Sequence, residues 1–402
     1  MKLNNTKLGP YISELNVKNT NLKVNLLLGV SISKKFIPSI ANTIGTNMSK
    51  YKIVKKNQFG YGPITSRNGN KISISLLSED ECIISTSYRV FEINDHNELD
   101  PEYLMMWFKR SEFDRYARFM SHGSTREAFD WSEMCEVELP IPPIEKQREI
   151  VEEYNSIVNQ INLNNNLIQK LEETAQALYR QWFIDFEFPD DNGKPYKSTG
   201  GKMKFNNYLN QEIPYNFFIK SINDSNIQIM KSGVEKFKKN KIYLATKCID
   251  QMNIVKNDDI INYENRPSRA NMQPKALSLW FAKMKNTRKI LYFKNDNKID
   301  DYILSTGFCG LKVESNIFYY LLVYLMGDNF NLNKDLLCTG TTQESINNDN
   351  VSKIQILFPS EHVLSLFSEK MVDIFNLIDQ KSKETKILEK MEKIILSKMS
   401  KV

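Results

Sequence analysis

The sequence predicts an α+β chain of two globular units, each of mixed sheet and helices, separated by two long helices that pair as an antiparallel coiled coil. Three observations predict it. An internal repeat relates the two halves at a single offset, apolar residues recur at steps of four and three over two stretches of about 40 residues, and β-branched runs fall outside them. With 402 residues, 41% of them apolar and 25% charged, the chain is of globular composition and long enough for several domains. Its longest apolar stretch, YYLLVYLM at 319–326, is far short of the ~20 residues of a membrane span. The first residues, MKLNNTKLGPYISEL, lack the continuous apolar core of a signal peptide. Five cysteines, never spaced CxxC, argue against a disulfide framework or structural zinc and for the reducing cytoplasm.

The repeat is read by laying GSTRE (123–127) on GTTQE (340–344), an offset of 217. Without a gap, Val137 then meets Ile354, Leu139 meets Ile356, Pro142 meets Pro359, Ile157 meets Ile374 and Leu171 meets Leu388. The first unit, 1–141, carries the strand-like runs YKIVKK, KISISLL and CIISTSYRVFEI, then a helical segment from LDPEYL to YARFM. A long helix over 142–186 follows, its start marked by Pro142–Pro143. Its seam is Ile150, Tyr154, Ile157, Ile161, Ile168, Leu171 and Leu178, interrupted by Asn164. Residues 187–358 hold a connector rich in Asp, Gly, Pro and Ser and a second unit with KILYFKN, DYILSTGFCGLKV and IFYYLLVYLM. The last helix, 359–402, has the seam Phe367, Met371, Ile374, Ile378, Leu388 and Ile395, with Thr385 as one polar interruption. The offset equals 31 heptads, so both helices keep one register, and an axis near residue 166 brings Asn164 opposite Thr385.

Charge is unevenly spread. Residues 1–78 sum to +11, residues 201–299 also to +11, and the whole chain to only +6. Two basic blocks on an otherwise acidic chain point to two polyanion-facing surfaces, nucleic acid first among them. Catalytic signatures are missing. No GxxxxGK[ST] phosphate loop, HExxH or GxSxG occurs, nor the Asn/Asp-Pro-Pro-aromatic tetrapeptide of amino-methyltransferases. FGYGP (59–63) is too short to be a cofactor loop, and a carboxylate–lysine set from Asp190, Asp296 and Lys298 is what any highly charged chain produces. The chain reads as a binding protein, with no metal site.

VELPIPPIEKQREIV (137–151), followed by the helix that ends in LYRQWFIDFEFPDDNGKPY (178–196), resembles the central region of specificity subunits of type I restriction–modification enzymes. ENRPSRANMQP (264–274), LSLWFAKMKNTRKIL (277–291) and ILSTGF (303–308) resemble a target recognition domain of that family. The last helix departs from the pattern, with PSEHVL (359–364) where the first has Pro-Pro and Glu-Lys-Gln. The resemblance implies a non-catalytic subunit that binds double-stranded DNA. Its two recognition domains would each read one half of a bipartite, asymmetric site, with the helices setting the spacer. Partners would be two modification (methyltransferase) subunits and restriction (ATP-dependent translocase and nuclease) subunits. S-adenosylmethionine, ATP and Mg²⁺ would belong to them, with no cofactor in this chain. A stand-alone two-domain DNA-binding regulator and an assembly scaffold are the alternative readings.

Base readout calls for Arg, Asn, Gln, Ser or Thr on turns. In the first unit these are Thr65, Ser66, Arg67, Asn68 and Asn70; in the second, Arg266, Ser268, Arg269, Asn271 and Gln273. The repeated motif adds Thr125, Arg126, Thr342 and Gln343 at matching places. Lys34, Lys35, Lys55, Lys56, Lys238 and Lys239 are candidates for phosphate contact. Tyr61 and Trp280 are candidates for lining the DNA surface, with core packing as their other reading.

Overall fold

The computed structural model describes residues 5–40, 45–66, 68–123, 126–224, 226–257, 259–294 and 299–401. Eight α-helices lie among them: α1 (Pro101–Lys109), α2 (Ser111–Phe119), α3 (Trp131–Cys135), α4 (Ile144–Phe183), α5 (Ser315–Met326), α6 (Asp328–Leu336), α7 (Asn348–Val351) and α8 (Glu361–Lys398). The starts of α2, α3 and α4 lie 217 residues before those of α6, α7 and α8, so the repeat is a repeat of structure. The chain forms two compact units, 1–165 with 382–402, and 166–381. Each long helix is therefore divided between the units, and the domain limits read from the sequence do not coincide with them. The physical reason is burial, because each half-helix turns its apolar face into the core of the globular part beside it.

In the first unit a four-stranded antiparallel sheet runs in the order Ile12–Leu15, Arg89–Ile93, Phe59–Gly62, Ser73–Leu76. Phe59 and Phe91 stack at 4.7 Å across neighbouring strands, and Phe108 of α1 meets Phe59 edge-on at 5.8 Å. Fully burying one such side chain stabilises by about 1.5–3 kcal/mol. Ile150, Tyr154 and Ile157 of α4, with Ile395 of α8 and Met399 just beyond it, complete this core. Tyr154 donates to Glu392 at 2.8 Å, an early residue of α4 against a late residue of α8, so the two helices are antiparallel here. The helix expected over the whole DPEYL–YARFM segment is two helices. Asp100 caps α1 by accepting from the Glu102 and Tyr103 backbone N–H groups, and the chain breaks at Arg110, which is extended and stacks on Trp107 at 4.1 Å.

The second unit repeats the sheet: Ile227–Ile229, Phe308–Val313, Ser278–Ala282, Ile290–Phe293, antiparallel and in the same order. It adds a mixed sheet of Ile260–Ile261, Lys241–Leu244, Tyr302–Ser305 and Ala270–Met272, with Lys241–Leu244 parallel to Tyr302–Ser305. α5 is buried nearly all round. Trp182 and Phe183 from the end of α4 meet Phe367 near the start of α8 at 5.5 and 4.9 Å, again antiparallel. Leu178, Ile168 and Leu171 pack against this core, as do Met371, Ile374 and Ile378. The segment after α4 is a packed connector rather than a loose linker, with Phe188 stacked on Tyr196 at 4.5 Å and on Phe217 at 5.1 Å.

Candidate nucleic-acid interface

The repeated motif forms one hairpin made twice. In the first unit His122 and Ala128 exchange backbone hydrogen bonds at 3.0 and 2.9 Å; in the second, Thr339 and Ser345 do so at 3.0 Å each. Both glycines are in the left-handed region, Gly123 at φ 131° and Gly340 at φ 125°. A Cβ on either would stand 2.5 Å from the Arg126 carbonyl oxygen or 2.8 Å from that of Gln343, so only glycine closes the turn. The glutamate that ends each motif anchors it. Glu127 accepts from Arg118 and takes the Thr65 backbone N–H on its carbonyl at 2.9 Å. Glu344 accepts from the Lys285 ammonium at 2.8 Å and takes the Lys285 backbone N–H on its carbonyl at 3.0 Å. With the base held, the tip presents Arg126 in one unit, and Thr342 and Gln343 in the other, all exposed. Thr125 and Arg67 lie outside the described residues.

The turn after Phe59–Gly62 is joined to the first hairpin. Thr65 donates to the Ser121 hydroxyl at 2.8 Å, and Asn68 Nδ2 donates to the Ile64 carbonyl at 3.2 Å. Ser66 and Asn70 are exposed beside them. In the second unit Arg266 donates to the Tyr263 carbonyl at 2.6 Å and lies 4.1 Å over its ring, a stacked rather than free cation. Asn271 and Gln273 are half-buried, whereas Ser268 and Arg269 are exposed. Arg269 lines a cleft of about 640 Å³ together with Lys247 and Asn265, two polar residues that sequence reasoning passed over. Lys238 and Lys239 are exposed.

Four candidates are corrected. Lys34 is buried, its ammonium 2.6 Å from Asp114 and 2.8 Å from the Ile72 carbonyl, so its charge is already matched inside the unit and is not available to a phosphate. Tyr61 is wholly buried against Phe91 and Phe129, and burial pushes its phenol well above the usual range. Thr65 is 1% exposed and serves the turn. Trp280, likewise, is a core residue whose indole donates to Ser278 at 2.9 Å. Lys35 and Lys56, both exposed, line a different cleft with Lys109, and Lys55 is exposed at the end of its strand. Lys109 was missed because a cation ending a helix reads as ordinary dipole matching. Among the described residues, no group of three or more His, Cys, Asp and Glu side chains is placed to hold a metal ion. No helix among them is long and apolar enough to cross a membrane.

Residues 16–173 match the family described as the type I restriction modification DNA specificity domain. The chain is 24% identical over 323 residues to the type I restriction enzyme MjaIX specificity subunit of Methanocaldococcus jannaschii, covering 74% of this chain and 68% of that protein. It is 28% identical over 162 residues to the HindI specificity subunit of Haemophilus influenzae, covering 40% of this chain and 35% of that one. The crystal structure of a type I restriction–modification S subunit from M. genitalium shares the fold, with a TM-score of 0.53 at 12% identity over 99% of this chain and 96% of that one.

Proposed function

We propose that the chain is a specificity subunit of a type I restriction–modification system, a reading supported by the match of residues 16–173 to that family's DNA specificity domain and by the two specificity-subunit relatives, and that its two units read the two halves of a bipartite, asymmetric DNA site. The observation that carries this reading is the pair of hairpins, held by the same glycine and glutamate geometry but tipped with Arg126 in one unit and Thr342–Gln343 in the other. An identical frame suits a common task, and different tips suit different bases. Arg favours guanine and Gln favours adenine in the major groove. Exposed lysines of the two basic blocks supply sequence-independent phosphate attraction, which weakens steeply with salt.

In this reading the chain is not itself an enzyme. It docks two modification subunits, recruits restriction subunits, and works with them in the cytoplasm. S-adenosylmethionine, ATP and Mg²⁺ are bound by those partners. Exchanging residues 1–141 for another first recognition domain is expected to change one half of the methylated site and leave the other intact, as methylome sequencing reads directly. If both halves change together, the two-reader assignment fails. Pure chain supplied with every cofactor is expected to transfer no methyl group and cut no DNA. A regulator acting alone would purify without larger partners, which distinguishes that reading.

The long helices are proposed to set the unread spacer. One heptad inserted after Leu163 and one after Gln380 preserves the seam and lengthens each helix by roughly 10 Å. That corresponds to about three base pairs at ~3.4 Å each. The half-sites are expected to persist while the spacer grows by that amount; an active complex with an unchanged spacer would remove the helices as the ruler.

A further inference from the structure

The two units differ in one internal space. In the second, the region bounded by Ile290–Phe293, α5 and α8 is filled by the unit's own rings. Tyr292 meets Phe375 at 5.9 Å, and Tyr319 meets Phe375 at 5.5 Å. Tyr292 donates to Asp379 at 2.5 Å, and the Lys294 ammonium donates to the same carboxylate at 2.7 Å. The sheet registers and the offset of 217 identify the counterparts in the first unit. Leu76, Glu102 and Val158 stand for the three rings, and Ser78 and Asn162 for the lysine–aspartate clasp. None of these fills the space, and a cleft of about 640 Å³ is open there.

Its chemistry is two-sided. Met105 and Met106 form an apolar floor, and Lys35, Lys56 and Lys109 contribute ammonium groups. Among the described residues Lys35 and Lys56 have no carboxylate partner, and Lys109 donates only to the Tyr154 hydroxyl, at 3.2 Å. Two acids line the cleft, Glu102 accepting from Asn155 and Glu79 from Ser78, and Glu392 and Glu102 partly offset the burial of the Lys109 ammonium. Burial holds the Lys109 ammonium below the usual lysine range, so an arriving carboxylate would stabilise its charge.

We propose that this cleft docks an acidic segment of a partner protein, an aromatic side chain entering over Met105 and Met106 while flanking carboxylates meet Lys35, Lys56 and Lys109. The second unit shows the same combination supplied from within, rings beside a carboxylate that holds a lysine. The cleft's lining includes neither the hairpin nor the turn, and this proposal assigns Lys35 and Lys56 to a protein carboxylate rather than to a DNA phosphate.

The test uses the full chain labelled at methionine methyl groups, with Met105 and Met106 assigned by Met105→Leu and Met106→Leu variants. The probe is the acetylated peptide Asp-Asp-Tyr-Asp-Asp, with Asn-Asn-Tyr-Asn-Asn as control. The acidic peptide is expected to shift both methyl signals saturably, and to bind at least tenfold more weakly to a Lys35→Glu, Lys56→Glu chain. Unchanged dispersion of the remaining methionine signals verifies that this variant folds, and Lys35→Gln, Lys56→Gln serves if it does not. Equal shifts by both peptides, indifference to the charge reversal, or no shift at all would overturn the proposal. So would displacement of the peptide by a DNA duplex, which would assign the cleft to the nucleic-acid surface. The domain exchange described above judges the recognition reading separately.

Discussion

At the start of α4 in the first unit, Gln147 is fully buried; at the matching place in α8, Leu364 is. Gln147 accepts from the Asp100 backbone N–H at 2.9 Å and donates to the carbonyls of Glu98 at 2.8 Å and Pro142 at 2.7 Å. Those bonds serve a backbone that is not yet helical, because α1 begins only at Pro101. In the second unit α5 begins at Ser315, the counterpart of Glu98, so the counterparts of the Glu98 carbonyl and the Asp100 N–H lie within the helix, and the apolar Leu364 stands where Gln147 does. One frame thus tolerates a polar knot or an apolar plug, provided that every buried backbone group has a partner. The replacement of Gln147 by Leu364 within PSEHVL follows from this local accounting.

The largest expected difference between the units concerns buried charge in α2 and α6. Asp114 accepts from the Lys34 ammonium and the Ile72 backbone N–H, whereas its counterpart Asn331 donates only to the Gly327 carbonyl, at 2.9 Å. Asp114→Ala leaves a buried ammonium without its counter-charge and is expected to cost about 3–5 kcal/mol. Asn331→Ala is expected to cost about 1 kcal/mol. Denaturant unfolding of the full chain measures both, and equal losses would show that the Lys34 pair does not secure its unit.

Next in size are the hairpin tips. Arg126→Ala is expected to remove about 1–3 kcal/mol of discrimination at one half-site, and Gln343→Ala the same at the other. Competition between duplexes altered in one half at a time reads this. Loss at both halves from either substitution would break the assignment of one reader per unit.

The place of these hairpins was legible in the sequence because GSTRE and GTTQE recur at one offset, whereas their pairing and the anchoring by Glu127 and Glu344 emerge only from the structure. The long helices were legible from periodicity. Lys34 was not, since its partner Asp114 lies 80 residues away and no local pattern signals a buried pair. Nor was the cleft beside α1, which exists through the small size of side chains on three separated elements. The break at Arg110 was hidden because helical spacing continues across it. Tyr61 sat in a glycine-flanked run that resembles a loop and is a central strand.

A shared property should respond alike in both units. Burial pushes the Cys309 thiol up to about 12, and Cys82 in the first unit also to about 12. Folding thus favours the protonated thiol. Each contribution is fully present below the ordinary value of 9.0 and is lost as pH rises from there toward 12. For Cys309 the loss approaches roughly 1.4 kcal/mol per pH unit in that window. Stability of Cys309→Ala measured from pH 8 to 10.5 is expected to fall less steeply than that of the parent chain. Parallel slopes would contradict a thiol held protonated.

The smallest effect tests the seam. Asn164 and Thr385 are both buried in the first unit, and Asn164 Nδ2 and Thr385 Oγ1 have no hydrogen-bond partner there. From the Tyr154–Glu392 bond, ten residues forward along α4 and seven back along α8 bring the two within one helical turn of the same level. The second unit has Ile168 and Lys381 at the repeat-related positions, so the layer is not matched there. Unpaired buried polar groups cost stability and in coiled coils are retained for register. Asn164→Leu with Thr385→Val should therefore leave the chain equally stable or about 1 kcal/mol more stable. It should also loosen register, seen as increased exchange of backbone amides around residue 164. A loss of more than about 1 kcal/mol would mean that the layer stabilises the pairing itself. The polar interruption would then contribute to the strength of the helix pair, as the apolar seam positions around it do.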